Sequence, residues 1–190
     1  MFIIFIQDGK VNGSGQCECL TEGVQNYEVS EELYNAFNEN PDKYIYLNGA
    51  VVEDPTYLER QLQKAKLEKY TEAKEEAYTY LESGEALYEF QPNKHIEATD
   101  GNIAKLGLSL IQLLMAHDEV STIPWNTKED ENVELNAGQL DDIVSGLKAV
   151  QEEVWTVKYA GYVEAIEAAE TVEEVEAIEI DYTMEEEAEE

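Results

Sequence analysis

Forty-three Asp and Glu residues against twelve Lys and Arg give this chain a formal net charge of −31, so whatever it folds into must hold together against its own field. The excess is uneven. From Lys128 to Glu190 there are twenty-one acids and three lysines, and no basic residue follows Lys158. Such a surface repels nucleic-acid phosphates and anionic membranes and opposes compaction through self-repulsion. Direct binding of DNA or RNA in a basic groove is not expected. A basic protein, or a nucleic-acid-binding protein whose groove the chain occupies, is compatible with it.

The opposing force is apolar burial. Hydrophobic residues make up 43% of 190 residues, and twelve tyrosines are spread along most of the length. That is too much buryable surface for a disordered chain, and enough for one substantial core or two small ones. The opening run Met1 to Ile6 ends at Gln7-Asp8-Gly9. It is too short for a membrane span and lacks the basic start and cleavage site of a signal peptide, so it reads as a buried strand. Cys17 and Cys19 cannot build a disulfide framework. Together these features lead us to expect a protein made in a reducing cytoplasm, with no membrane association.

The pattern along the chain predicts an α+β fold in modules. Residues 1–54 read as a small α/β unit, with a strand at Phe2 to Ile6, a turn near Gly9, and a helix capped by Ser30 with Leu33, Tyr34 and Phe37 on one face. Tyr44 to Leu47, Asn48-Gly49 and Ala50 to Val52 make a hairpin, because Asn-Gly supplies the positive φ angles of a two-residue turn. Residues 55–83 read as a long connecting helix, with Asp54 as cap and Pro55 at its first position. Its apolar stripe of Leu58, Leu62, Ala65, Ala73, Ala77 and Leu81 is broken, and Ser83-Gly84 ends it.

Residues 84–182 read as a helix-rich module with a hairpin. Short strands are expected at Ala86 to Phe90 and His95 to Ala98. A helix then opens at Thr99-Asp100-Gly101, with Ile103, Leu106, Leu110, Leu113 and Leu114 buried. Trp125 to Leu135 forms the hairpin, and Asn136 caps a helix running to Ala169. In it Leu140, Ile143, Val144, Leu147, Val150, Val154, Val157 and Gly161 follow the 3.6-residue period. Thr171 and Glu174 box a last short helix. Residues 183–190 form an acidic tail.

Reactive constellations are not apparent. His95 and His117 fall in different predicted elements, away from any nucleophile motif. Cys17-Glu18-Cys19 has no second ligand pair for a soft metal, and Gly13-Ser14-Gly15 lacks the lysine and helix start that phosphate binding requires. The acid runs have no EF-hand spacing. No catalytic residue, cofactor or metal site is therefore assigned, and the chain is not expected to be an enzyme. Aromatic anchors are the remaining candidates for contact with a partner: Tyr44, Tyr46, Trp125 and Trp155. Core packing is the plainer account of each.

Two stretches carry a family resemblance. Val29 to Phe37 with Asn40 to Val52 and Pro55 to Tyr57 resembles the N-terminal module of small accessory proteins encoded beside tail-fibre genes in bacteriophages and prophages. His95 to Ile103, Trp125 to Lys128 and the helix from Asn136 are similar to a phage domain of unknown function that ends in a Trp, a hairpin and a long helix. The resemblance implies a phage tail or tail-fibre-associated structural or assembly protein, such as a virion assembly chaperone, that binds a tail or fibre protein. It would be made in the bacterial host cytoplasm and could be carried in the virion tail, with homo-oligomers left open. A second class is an acidic inhibitor or nucleic-acid mimic for phage counter-defence. Its carboxylates Asp141, Asp142, Glu152, Glu153, Glu164 and Glu167 would imitate a phosphate path in a basic groove.

Overall fold

The structure, a computed structural model, describes residues 1–116 and 121–183. His117 and residues 184–190 of the expected acidic tail lie outside the described residues. Small antiparallel sheets and helices alternate along the chain, an α+β fold. The chain divides into two compact units, Met1–Lys64 and Ala65–Glu190.

In the first unit β1 (Phe2–Gln7) is the centre of a three-stranded antiparallel sheet, flanked by β2 (Lys10–Gly15) and β3 (Val24–Val29). Asp8 and Gly9, both at positive φ, form the turn between β1 and β2. The ladder slips between Phe5 and Ile6, where β2 carries an extra residue. Helix α1 (Glu31–Glu39) starts where Ser30 Oγ accepts the Leu33 N–H at 3.2 Å, the expected cap. A single 3₁₀ turn (Pro41–Lys43) leads into the hairpin of β4 (Tyr44–Leu47) and β5 (Ala50–Glu53). Its turn residues Asn48 and Gly49 have φ of 53° and 86°, as an Asn-Gly turn demands. Ile4, Ile6, Phe37, Tyr44 and Val51 form the core of this unit.

Helix α2 (Tyr57–Glu82) begins after a turn in which the Asp54 carboxylate accepts the Thr56 N–H at 2.9 Å. The helix therefore starts two residues after Pro55, the expected first position, because Pro55 and Thr56 form a turn closed by the Asp54 side chain. Ala73, Ala77, Tyr80 and Leu81 are its buried residues, whereas Leu58 and Leu67 are exposed. Gly84, at φ 81°, follows the helix in the left-handed conformation that an L side chain resists.

The second unit then sets out β6 (Leu87–Gln91), β7 (Lys94–Glu97), α3 (Asp100–Ala116), β8 (Ile123–Asn126), β9 (Asn132–Leu135) and α4 (Ala137–Glu152). Two separate hairpins pair β6 with β7 and β8 with β9. The Asn136 side chain and Gln139 cap α4 reciprocally, and Thr171 and Glu174 do the same for α6 (Val172–Glu176). Leu106, Leu135, Leu140, Ile143, Leu147 and Val154 form the centre of the core.

Two expectations are corrected here. Leu114 is exposed rather than buried: Leu106 and Leu113 take the inner face of α3, with Ile103 and Leu110 half-buried beside them. The helix from Asn136 also does not run as one α-helix to Ala169. A π-helical stretch, Glu153–Tyr159, separates α4 from α5 (Ala160–Ala168). The wider turn advances the inward face by about one residue. Val157 and Gly161 therefore turn outward, and Tyr159, Tyr162 and Ile166 take the inner positions.

Candidate functional site

A cleft of about 840 Å³ lies in the first unit. One wall is β2 with the turn before it, Gly9 through Ser14; the other is Tyr44, Ile45 and Tyr46 of β4, and Phe37 and Pro41 also line the cleft. Both strands are edges. Among the described residues β2 pairs only with β1, and β4 only with β5. In a two-residue hairpin turn Gln7 and Lys10 are the hydrogen-bonded closing pair, so Val11 next along directs its own N–H and C=O away from β1. The main-chain donor and acceptor of Val11 thus border an aromatic wall.

The rim polar groups are held in place. Asn12 Nδ2 donates to Gln7 Oε1 at 2.8 Å, and Asn38 Nδ2 donates to the Tyr34 carbonyl at 2.8 Å. Arg60 reaches the cleft from α2, donating to the Asp42 carbonyl at 3.2 Å and pairing with the Asp54 carboxylate. That carboxylate is lowered from its ordinary range, first by the Thr56 N–H and further by Arg60. Lys10 is exposed and makes no ion pair among the described residues. Lys10, Arg60 and Asp42 line the cleft, but Arg60 is already paired with Asp54, so Lys10 is the cation that the rim leaves without an ion pair among the described residues, in a chain of net charge −31. A second concavity of about 410 Å³, on α2, shows the contrast: Glu68, Glu72, Glu75 and Glu76 line it with Leu67 and Thr71.

The four aromatic candidates do not converge. Tyr44 and Tyr46 share the cleft wall, but their roles differ. Tyr44 is buried against Phe37 with ring centroids 6.0 Å apart, whereas half-buried Tyr46 meets Tyr27 edge-on and its hydroxyl accepts a long hydrogen bond from Gln25 at 3.4 Å. Trp125 stands on β8 opposite Val133, packed against the core of the second unit. Trp155 lies in the π-helical stretch, edge-on to Tyr78 at 4.8 Å and Tyr159 at 5.6 Å. The cleft residues that sequence reasoning missed are Lys10, Asn12 and Arg60. The Asp8-Gly9 dipeptide was the available signal, since it marks a hairpin turn and hence an outer strand.

His95, on β7, is half-buried with Nδ1 2.7 Å from Glu129 Oε1, and its N–H donates to the same carboxylate at 3.1 Å. These bonds, the backbone one first, lower Glu129 to about 2. With Lys128 2.7 Å from Glu97 and Lys94 3.1 Å from Glu131, they fasten the turn of the β8–β9 hairpin to β7. Cys17 and Cys19 are free, with Cys19 lowered by hydrogen bonding to Thr21. Gly13 to Gly15 lie within a strand rather than before a helix. Among the described residues no group of three or more His, Cys, Asp or Glu is placed to hold a metal ion, and no helix is long and apolar enough to cross a membrane. Comparison with known proteins finds no family model that matches the chain, no curated relative and no similar solved structure.

Proposed function

We propose that the chain is a bacteriophage tail or tail-fibre accessory protein, structural or assembly in role, that acts by holding a segment of a fibre or tail protein in the cleft of its first unit. The observation that carries the binding mode is the cleft itself, in which the edges of β2 and β4, unpaired among the described residues, and the Tyr46 ring line one concavity beside Lys10 and Arg60. An extended peptide added to such an edge gains main-chain hydrogen bonds, and the aromatic wall and the cations select its side chains. An acidic segment, or a chain end with its carboxylate, suits the exposed Lys10 ammonium at the rim. The phage setting is supported by the resemblance carried by Val29 to Tyr57 and by the segments around His95, Trp125 and Asn136.

The test is titration of a purified tail-fibre fragment into the wild-type chain and into Lys10→Glu. Lys10 is exposed, so its replacement leaves the fold alone while reversing the charge at the rim. Binding is expected to weaken about tenfold, the effect of changing one rim charge opposite an acidic peptide. Equal affinity for both proteins would remove the cleft from the account. Recovery of a host nuclease or other DNA-processing enzyme, with no affinity for fibre fragments, would favour the mimic reading based on Asp141, Asp142, Glu152, Glu153, Glu164 and Glu167.

A further inference from the structure

Helix α3 is apolar on two opposite faces. One face enters the core through Leu106 and Leu113, supported by Ile103 and Leu110. The other carries Leu108, Ile111 and Met115, which are 62%, 53% and 75% exposed, with Leu114 at its border 59% exposed. A helix apolar all round is normally one that is covered all round. The exposed residues also keep a strict spacing. Ala104, Leu108, Ile111 and Met115 follow one another at steps of four, three and four, the seam of a helix pair, whereas the core residues fall at the positions behind it.

Charge indicates what covers this seam. In a chain with forty-three acids, Gly101 to Ala116 contains none, and Lys105 is the one charged residue there. A basic partner would be drawn to the carboxylates elsewhere on the molecule. A partner as anionic as this chain can approach closely only where the acids are missing. The seam is also complementary to itself. In an antiparallel pair related by a two-fold axis near residues 109 and 110, Leu108 faces Ile111 and the small Ala104 faces the long Met115, so both layers fill. Lys105 then lies beside Gln112 of the partner copy, with no like charges opposed. A parallel pair would set Ala104 on Ala104 and Met115 on Met115, one layer empty and the other crowded.

We infer that the exposed seam of α3 is a homodimer interface in which two copies pair their helices antiparallel. A single helix pair buries less than the 1,200 Å² or so of a standard interface, so the dimer is weak and exchanging, with dissociation in the micromolar range. Because two highly anionic bodies are brought together, added salt strengthens it.

Sedimentation velocity of the full chain across a concentration series tests this. A monomer–dimer equilibrium is expected, tightening roughly two- to tenfold between about 0.1 M and 0.5 M salt as repulsion is screened. Leu108→Glu with Ile111→Glu, both at exposed positions, is expected to weaken it about a hundredfold while circular dichroism stays unchanged. Orientation is read by disulfide trapping in a Cys17→Ser, Cys19→Ser background. A mixture of Leu108→Cys and Ile111→Cys proteins should give the mixed disulfide, and Leu108→Cys alone should give little. A chain that stays monomeric at every concentration and salt would overturn the proposal. So would a dimer untouched by the double substitution, or trapping by Leu108→Cys alone.

Discussion

Tyr182 lies at the end of the described chain yet is buried, and its hydroxyl donates to the Ala73 carbonyl of α2 at 2.8 Å. Tyr80 stacks on it, Tyr162 meets it edge-on, and burial pushes its phenol well above the ordinary range. Tyr182→Phe keeps the ring and removes one buried hydrogen bond, which should cost about 1 kcal/mol in urea unfolding. Tyr182→Ala also removes the ring and should cost about 3 kcal/mol or more. Equal, small losses would show that the ring is not part of the core. Glu129 makes a pH-dependent contribution. Its folded value, about 2, lies below its usual value near 4.5. The stabilisation it gives is therefore complete above about pH 4.5 and disappears as pH falls toward 2. Wild type and Glu129→Gln should differ in urea midpoint at neutral pH and converge across that window. A difference that stays constant down to pH 2 would mean that the bonds to His95 do not form.

Among the elements, those with chemical punctuation could be read from the chain. Ser30, Asn136 and Thr171 cap the helices assigned to them, and Asn48-Gly49 makes its hairpin, because each rests on contacts within a few residues. What escaped depends on distant partners. β3 is a polar stretch, Val24–Val29, that is a strand because β1 pairs with it along its whole length. The outward turn of Val157 and Gly161 follows from the π-helical stretch, which periodicity counted at 3.6 residues cannot register. Of the four aromatic candidates, Tyr44 and Tyr46 do line the cleft, but its cations come from a strand edge and from α2, far apart in sequence. Close packing of α4 on β6 gives a further test. A Cβ at Gly146 would overlap the Tyr88 ring. Gly146→Ala should therefore destabilise by about 1–3 kcal/mol, although alanine favours helix by about 1 kcal/mol. A stabilised Gly146→Ala protein would show that the Tyr88 ring moves aside freely.

At the level of the whole chain, charge and apolar surface are partitioned. The carboxylates Asp141, Asp142, Glu152, Glu153, Glu164 and Glu167 are all exposed, so this surface repels other anions. Against that background an acid-free helix face and a cleft rimmed by the exposed Lys10 stand out as surfaces suited to contact, and the reading of the protein as a binding partner rests on them. Affinity capture from phage-producing cells decides the matter, with the wild-type chain and Lys10→Glu as parallel baits. A tail or tail-fibre protein recovered by the wild type and depleted on Lys10→Glu is the expected result. Capture of the same proteins by both baits, or of nucleic-acid-processing enzymes without any tail component, would contradict it.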